Sequence, residues 1–309
     1  MAVELTIIGL GQIGSSIGLA LADKSLEINR TGHDASADTA ARAEKAGAVD
    51  KIQRNIHTAV EKADLVILAV PEDEVRQTLD LIRDDLKPDS LVMDTSLLKS
   101  APAVWAGELL PEKRHFIGFT PVLGARYLDE MKYGVEAAHA DLFKDAVVLI
   151  TTPAASNPDS IRVASELAGI LGCKPLFIDP LEAEGLLAAV YGLPRLVSAA
   201  LINATTRQPG WQEARKLAGK AYTQVSEPLM HMDGTRQFGH SAIHNRENTA
   251  RVLDDMIIEL QAVRDLVMEG NSEKLDQVLH NAEQARKEWS NQRQAAEWEH
   301  RPAASSFPT

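Results

Sequence analysis

Gly9, Gly11 and Gly14 stand in the run IIGLGQIGSSIG, directly behind a short apolar segment, and Asp34 follows Gly14 by 20 residues in NRTGHD. Glycines at these spacings, between a strand and a helix, suit the binding of a dinucleotide. Gly9 allows a tight turn, Gly11 keeps the backbone bare where a pyrophosphate approaches, and Gly14 lets the helix pack closely on the strand. The helix opening near Gln12, with Ile13 beside it, aims free N–H groups and its positive dipole end at the phosphates. Asp34, ending the second strand, can accept hydrogen bonds from the adenosine ribose. Its charge opposes a 2′-phosphate, so NAD is expected and NADP less so. Gly18 fits helix packing and needs no ligand.

These residues need a sheet to hold them, and the first half of the chain supplies its pattern. Strand-like runs fall at Leu5–Gly9, Leu65–Val70, Leu91–Asp94, Phe116–Phe119, Val147–Thr151 and Pro175–Ile178, with helical segments such as Asp73–Asp85 and Ser160–Leu171 between them. DLVILAV is continuously apolar, as a strand covered on both faces must be. The expectation is an α/β fold, a Rossmann-type doubly wound and mostly parallel sheet over residues 1–180. Ligands of such sheets bind at the carboxyl ends of the strands. Those ends carry Gly9, Asp34, Val70-Pro71, Asp94-Thr95-Ser96 and Thr120-Pro121.

After Asp179-Pro180 the strand pattern stops, and helices are expected at about 181–206, 211–222, 246–268 and 272–298. Val252, Met256, Leu260, Val263 and Val267 recur as one apolar helix face, and Leu275, Leu279, Ala282 and Trp289 continue it after the break at Gly270-Asn271-Ser272. Residues 181–300 are therefore expected to form an all-helical domain that makes a homodimer. Residues 301–309 are expected to be a disordered tail.

The chain has 309 residues, 45% of them hydrophobic and 25% charged, with a net charge of -12. The acidic balance and the lack of a basic run argue against nucleic acid and acidic membranes as partners, and leave room for a small anionic substrate held by a local Arg or Lys. A single cysteine, Cys173, excludes an internal disulfide and fits a reducing cytoplasm. No signal peptide is expected. Gly185–Ala204 is the most apolar long stretch; Pro194 and Arg195 interrupt it, so a buried helix is expected in place of a membrane span. His231, His240 and His244 lie in a polar stretch without a supporting ligand pattern, and no metal is expected.

In order and spacing, GLGQIGSSIGLALA, GHD, DLVILAVP, DTSLLK, FIGFTPVLG, GVEAAHADLF before VVLITTP, and YGLPRL resemble the prephenate and arogenate dehydrogenase family over most of residues 1–205. The resemblance implies a nucleotide-binding domain, an all-helical dimerisation domain, and an active site between them. It also exposes departures. Where the family's D-x-G-S-x-K has serine, this chain has Leu97, while Asp94 and Lys99 remain. Where its G-x-H-P-M-x-G carries the catalytic histidine, this chain has Thr120, while Gly118, Pro121 and Gly124 remain. The family's S-H-L-P-H is here Tyr191-Gly192-Leu193-Pro194-Arg195. Its later arginine, implied to hold a ring carboxylate, falls at Gln224.

The reaction implied by the resemblance removes a hydroxyl proton as hydride passes to the nicotinamide. A threonine hydroxyl is no base at neutral pH, and loss of general-base catalysis costs roughly 10²–10⁴-fold. Three readings follow. The chain is a dehydrogenase for a different small anionic hydroxy substrate, with a rebuilt polar set drawn from Ser96, Lys99, Thr120, Tyr191 and Arg195. Alternatively it is a prephenate or arogenate dehydrogenase of tyrosine biosynthesis with relocated acid–base groups. Alternatively it is a non-catalytic NAD-binding sensor or structural subunit. The related β-hydroxyacid dehydrogenases use a lysine on the first long helix, and residues 182–206 contain none. For Arg195, an anionic ligand and an ion pair with Glu182 or Glu184 are both open. Lys99 either binds substrate or supports the loop that starts a helix.

Overall fold

Along the sheet, alternate side chains are apolar on both faces, and this is what stacks helices on each side. In β1 (Val3–Ile8), Leu5 and Ile7 join one core cluster with Leu65 and Ile67, while Ile8 joins another with Val66 and Leu68. The computed structural model describes residues 2–130, 132–153, 156–230 and 235–298; His231 and the tail from residue 301 lie outside these.

The chain continues through α1 (Gln12–Ala20), β2 (Ile28–His33), α2 (Ala37–Lys45), the two-residue β3 (Lys51–Ile52), α3 (Ile56–Val60) and β4 (Leu65–Leu68). Then follow α4 (Val75–Ile82), β5 (Leu91–Asp94), α5 (Ser100–Leu109), β6 (His115–Pro121), β7 (Val147–Thr151), α6 (Pro158–Ile170) and β8 (Lys174–Phe177). Among the described residues the strands form one sheet in the order β3-β2-β1-β4-β5-β6-β7-β8. Every neighbouring pair is parallel except β6 and β7, where Thr120 faces Leu149. The carboxyl ends of β1, β2, β4 and β5 therefore open at one edge, as the pairings Ile8–His33, Ile8–Leu68 and Leu68–Asp94 show. Cys173 is buried, and burial pushes its thiol up to about 12.

No strand follows β8 among the described residues. Asp179 caps α7 (Pro180–Leu187) by accepting the Leu181 N–H at 2.8 Å, with Pro180 in the first turn. The helix expected over 181–206 is one rod interrupted: α7 passes through a π turn at Ala188–Gly192 into α8 (Leu193–Thr206). Pro194 lacks an N–H and crowds the preceding carbonyls, which accounts for the widened turn just before it. The helix expected over 211–222 is broken at Gly219 into α9 (Trp211–Leu217) and α10 (Lys220–Ser226). They are followed by α11 (Thr235–His244), α12 (Arg246–Glu269) and α13 (Ser272–Ala295).

One expectation fails within the single chain. Pro180–Thr206 has the length and apolar composition of a membrane span, yet only 11% of its most apolar window is buried. Leu186, Val190, Ile258 and Leu260 are likewise exposed. The sequence marked an apolar surface correctly, but the chain's own fold does not cover it.

Candidate active site

The glycine turn has the geometry a dinucleotide requires. Gly9 has φ +90, and a Cβ there would stand 2.3 Å from the Ala69 carbonyl oxygen. At Gly11 a Cβ would meet nothing within 4 Å, so the space above the turn is open. Gly11 is the N-cap of α1 and offers no side chain to the free N–H groups of Gln12, Ile13 and Gly14. These residues fit NAD. The Gln12 amide donates to the Ala137 carbonyl at 3.1 Å, which ties α1 to the loop before β7. Asp34 accepts the Leu10 N–H and the Ser36 N–H, each at 2.8 Å. It thus braces the glycine turn and keeps lone pairs for a ribose. Val70 and Pro71 are half-buried at the end of β4, beside that turn.

Below the cleft, four of the expected site residues meet in one closed network. Asp94, at the end of β5, accepts the Ser96 N–H at 3.1 Å and the Ser96 hydroxyl at 2.6 Å. The Lys99 ammonium is fully buried, 3.4 Å from Asp94 Oδ2. Gly118 leaves it room, since a Cβ there would lie 3.2 Å from Lys99 Cδ. Thr120 donates its hydroxyl to the Ser96 carbonyl at 2.8 Å. Ser96, Lys99 and Thr120 are each at least nine-tenths buried and spend their polar groups on one another. They form a floor.

The helical part closes over that floor. Glu184 of α7 accepts the N–H groups of Lys99 and Ser100 at 2.9 and 2.8 Å, and the Ser100 hydroxyl at 2.9 Å. It is occupied as a cap on α5 and makes no ion pair with Arg195. Arg195 donates to the Tyr191 carbonyl at 3.4 Å and lies 5.6 Å from the centre of the Phe238 ring. Among the described residues it has no carboxylate within salt-bridge reach. Tyr191 packs against the buried cluster of Leu149, Ala183 and Leu187, and burial raises its phenol above the ordinary range. His244 stands edge-on to Trp105 with ring centroids 5.9 Å apart. No metal-ligating group of three His, Cys, Asp or Glu side chains occurs among the described residues.

Sequence reasoning passed over Glu72, which the PEDE run disguises as an ordinary acidic helix start. Its Oε1 accepts the Leu97 N–H at 2.9 Å. Burial raises its carboxyl above the usual range; the Leu97 N–H opposes this, Asp94 adds to it, and Lys99 and Arg195 oppose it. Between the ordinary and the raised pKa, the folded chain keeps a proton that the unfolded chain has lost. Stability therefore falls as pH rises through that window. Glu72→Gln keeps an acceptor for Leu97 and removes the charge. It is expected to match the wild type near about pH 4 and to be the more stable near about pH 8. Urea unfolding across that range checks this; a gap that does not change with pH refutes it.

The family model described as prephenate dehydrogenase, nucleotide-binding domain, matches residues 17–174, and the prephenate dehydrogenase dimerization domain matches residues 179–281. The chain belongs to the prephenate dehydrogenase family. It is 24% identical to prephenate dehydrogenase of Bacillus subtilis (strain 168), over 93% of this chain and 76% of that one. It is 23% identical to cyclohexadienyl dehydrogenase of Zymomonas mobilis, over 92% and 94%. Its fold matches that of the A. aeolicus prephenate dehydrogenase solved with hydroxyphenyl propionate and NAD+, with a TM-score of 0.81, 19% identity, and 93% and 98% of the two chains covered. Membership makes this chain a relative of NAD-dependent dehydrogenases, but one with Leu97, Thr120 and Arg195 in place of the serine and histidines of the family pattern.

Proposed function

We propose that the chain is an NAD-dependent dehydrogenase, working as a homodimer, that oxidises a small anionic hydroxy substrate other than prephenate. The observations that carry this reading are a complete dinucleotide turn and an arginine, Arg195, that has no carboxylate within salt-bridge reach among the described residues and feels only the more distant charge of Glu72. A partly buried guanidinium is costly to leave without an anion. Arg195 has neither Glu182 nor Glu184 within salt-bridge reach, so a substrate anion is the partner that suits it.

When bound, NAD supplies the hydride acceptor. The chain's own residues then divide the work. Arg195 holds the anionic group. Glu72, whose Oε1 is fixed by Leu97, takes the hydroxyl proton on a carboxylate oxygen. The buried Asp94–Ser96–Lys99–Thr120 floor keeps the end of β5 rigid. The exposed apolar residues Leu186 and Val190, of α7 and the π turn, and Ile258 and Leu260, of α12, give a second copy a surface to cover.

Two measurements test the reading on the same sample. NAD affinity is measured first, with Asp34→Ala alongside. That variant is expected to lose roughly tenfold or more in NAD affinity and to discriminate less against NADP. Unchanged NAD affinity removes the cofactor assignment. NADH formation is then followed with prephenate, arogenate and a panel of small hydroxy acids. Turnover of prephenate or arogenate at an ordinary rate returns the chain to the family reaction. NAD binding without turnover of any of them favours a sensor.

A further inference from the structure

Arg293 lies on α13, beyond residue 281 where the match to the dimerization domain ends. It is 8% exposed. One end of its guanidinium donates to the Leu123 carbonyl, three residues past Thr120. The Trp298 ring lies over it, 5.1 Å from centroid to guanidinium carbon, and Trp298 donates to the Asp145 carbonyl at 3.1 Å. The Arg293 Nε is buried with no hydrogen-bond partner among the described residues.

No carboxylate among the described residues reaches this charge. Burial pulls the Arg293 pKa down, and the Tyr191 phenol is the group that pushes it back. Tyr191 in turn feels two cations, Arg293 and then Arg195. A donor left unpaired in the interior costs about 1–3 kcal/mol, and more when charged. A clamp between α13 and the β6–β7 loop needs only the Leu123 bond, so it does not account for the orphan Nε.

We propose that Arg293, together with the Tyr191 hydroxyl, forms an oxyanion subsite that takes a carboxylate or phosphate group of the substrate. This rests on the dehydrogenase reading above and deepens it. Arg195 grips the ligand from α8, and Arg293 grips it from the C-terminal helix. A guanidinium presents Nε and Nη donors in one plane, which suits a two-point contact with either oxyanion.

The test uses the full-length chain loaded with NAD. Malonate and inorganic phosphate are titrated separately by calorimetry into wild type, Arg293→Gln and Arg293→Lys. The wild type is expected to bind one of the two at millimolar concentration, and which one names the group. Arg293→Gln should weaken that binding by at least about tenfold with NAD affinity unchanged, and Arg293→Lys should recover part of it. In parallel, the Arg293 Nε–H resonance of 15N-arginine-labelled wild type is expected to shift as the anion is added, which needs no variant to fold. Absence of binding of both anions to the NAD-loaded wild type overturns the subsite. So does equal binding by wild type and Arg293→Gln, or an Nε–H resonance that does not move. Failure to bind NAD is a different result and strikes the dehydrogenase reading itself.

Discussion

Lys99→Met is expected to lower the unfolding free energy by about 3–5 kcal/mol, the cost of stranding a buried charge. The Lys99 ammonium sits 3.4 Å from Asp94 Oδ2, and the two side chains are 0% and 1% exposed. Burial depresses the lysine pKa, and Asp94, Glu72 and Glu184 push it back. The pair is therefore held at a desolvation cost. Such a pair adds little net stability when intact, but it is expensive to break from one side. After Lys99→Met, Asp94 keeps the Ser96 N–H and hydroxyl but loses its counter-charge. Adding Asp94→Asn removes the stranded charge and keeps an acceptor for Ser96. The double variant is therefore expected to be more stable than Lys99→Met alone, the reverse of additive loss. Chemical denaturation at fixed protein concentration measures both. A loss below about 1 kcal/mol in the single variant would place water around Asp94 and undo the account of a dry floor.

The contrast between Lys99 and Arg195 shows where sequence reading reaches and where it stops. Lys99 follows the end of β5 and Arg195 lies on the long helix after β8, and the sequence leaves both open between a ligand and a structural role. Nothing local separates them, because the decision lies with Glu184, which is 85 residues from Lys99 and spends its carboxylate on the start of α5. Local pattern did carry far for the sheet. Continuous apolar runs marked β4 and β5, and the glycine spacing marked the turn after β1, since backbone sterics and two-faced burial act on neighbouring residues. β3 escaped because two residues make no period. Arg293 escaped for a related reason. Along α13 it reads as one more charge on a polar helix face, and only the fold brings it against Leu123 and Trp298. The apolar stripe of α12 was legible, but a stripe does not say which chain covers it. Val252 is buried in its own chain, while Leu260 and Val267 are exposed.

Gly14→Ala is expected to abolish NAD binding, with a loss of at least about a hundredfold, and to destabilise the fold as well. In an ordinary helix the change would help, because alanine is the better helix former by about 1 kcal/mol. Here the added Cβ would stand 2.0 Å from the Gly9 carbonyl oxygen, 3.1 Å from Ile7 Cγ2 and 3.2 Å from Ala69 Cβ. The Gly9 backbone and the side chains of Ile7 and Ala69 must part to admit it, and interiors this dense do not yield cheaply. The shift would open the turn between Gly9 and Gly11, where the first N–H groups of α1 are aimed. Gly11→Ala is the matched comparison. Its Cβ would meet nothing within 4 Å, so the chain should fold as well as the wild type. Its methyl would nonetheless occupy the space a pyrophosphate needs, and NAD affinity should fall with stability unchanged. Thermal unfolding and NAD titration of both variants separate the two causes. If Gly11→Ala binds NAD like the wild type, the phosphates do not approach the chain at this turn, and the cofactor site must lie elsewhere.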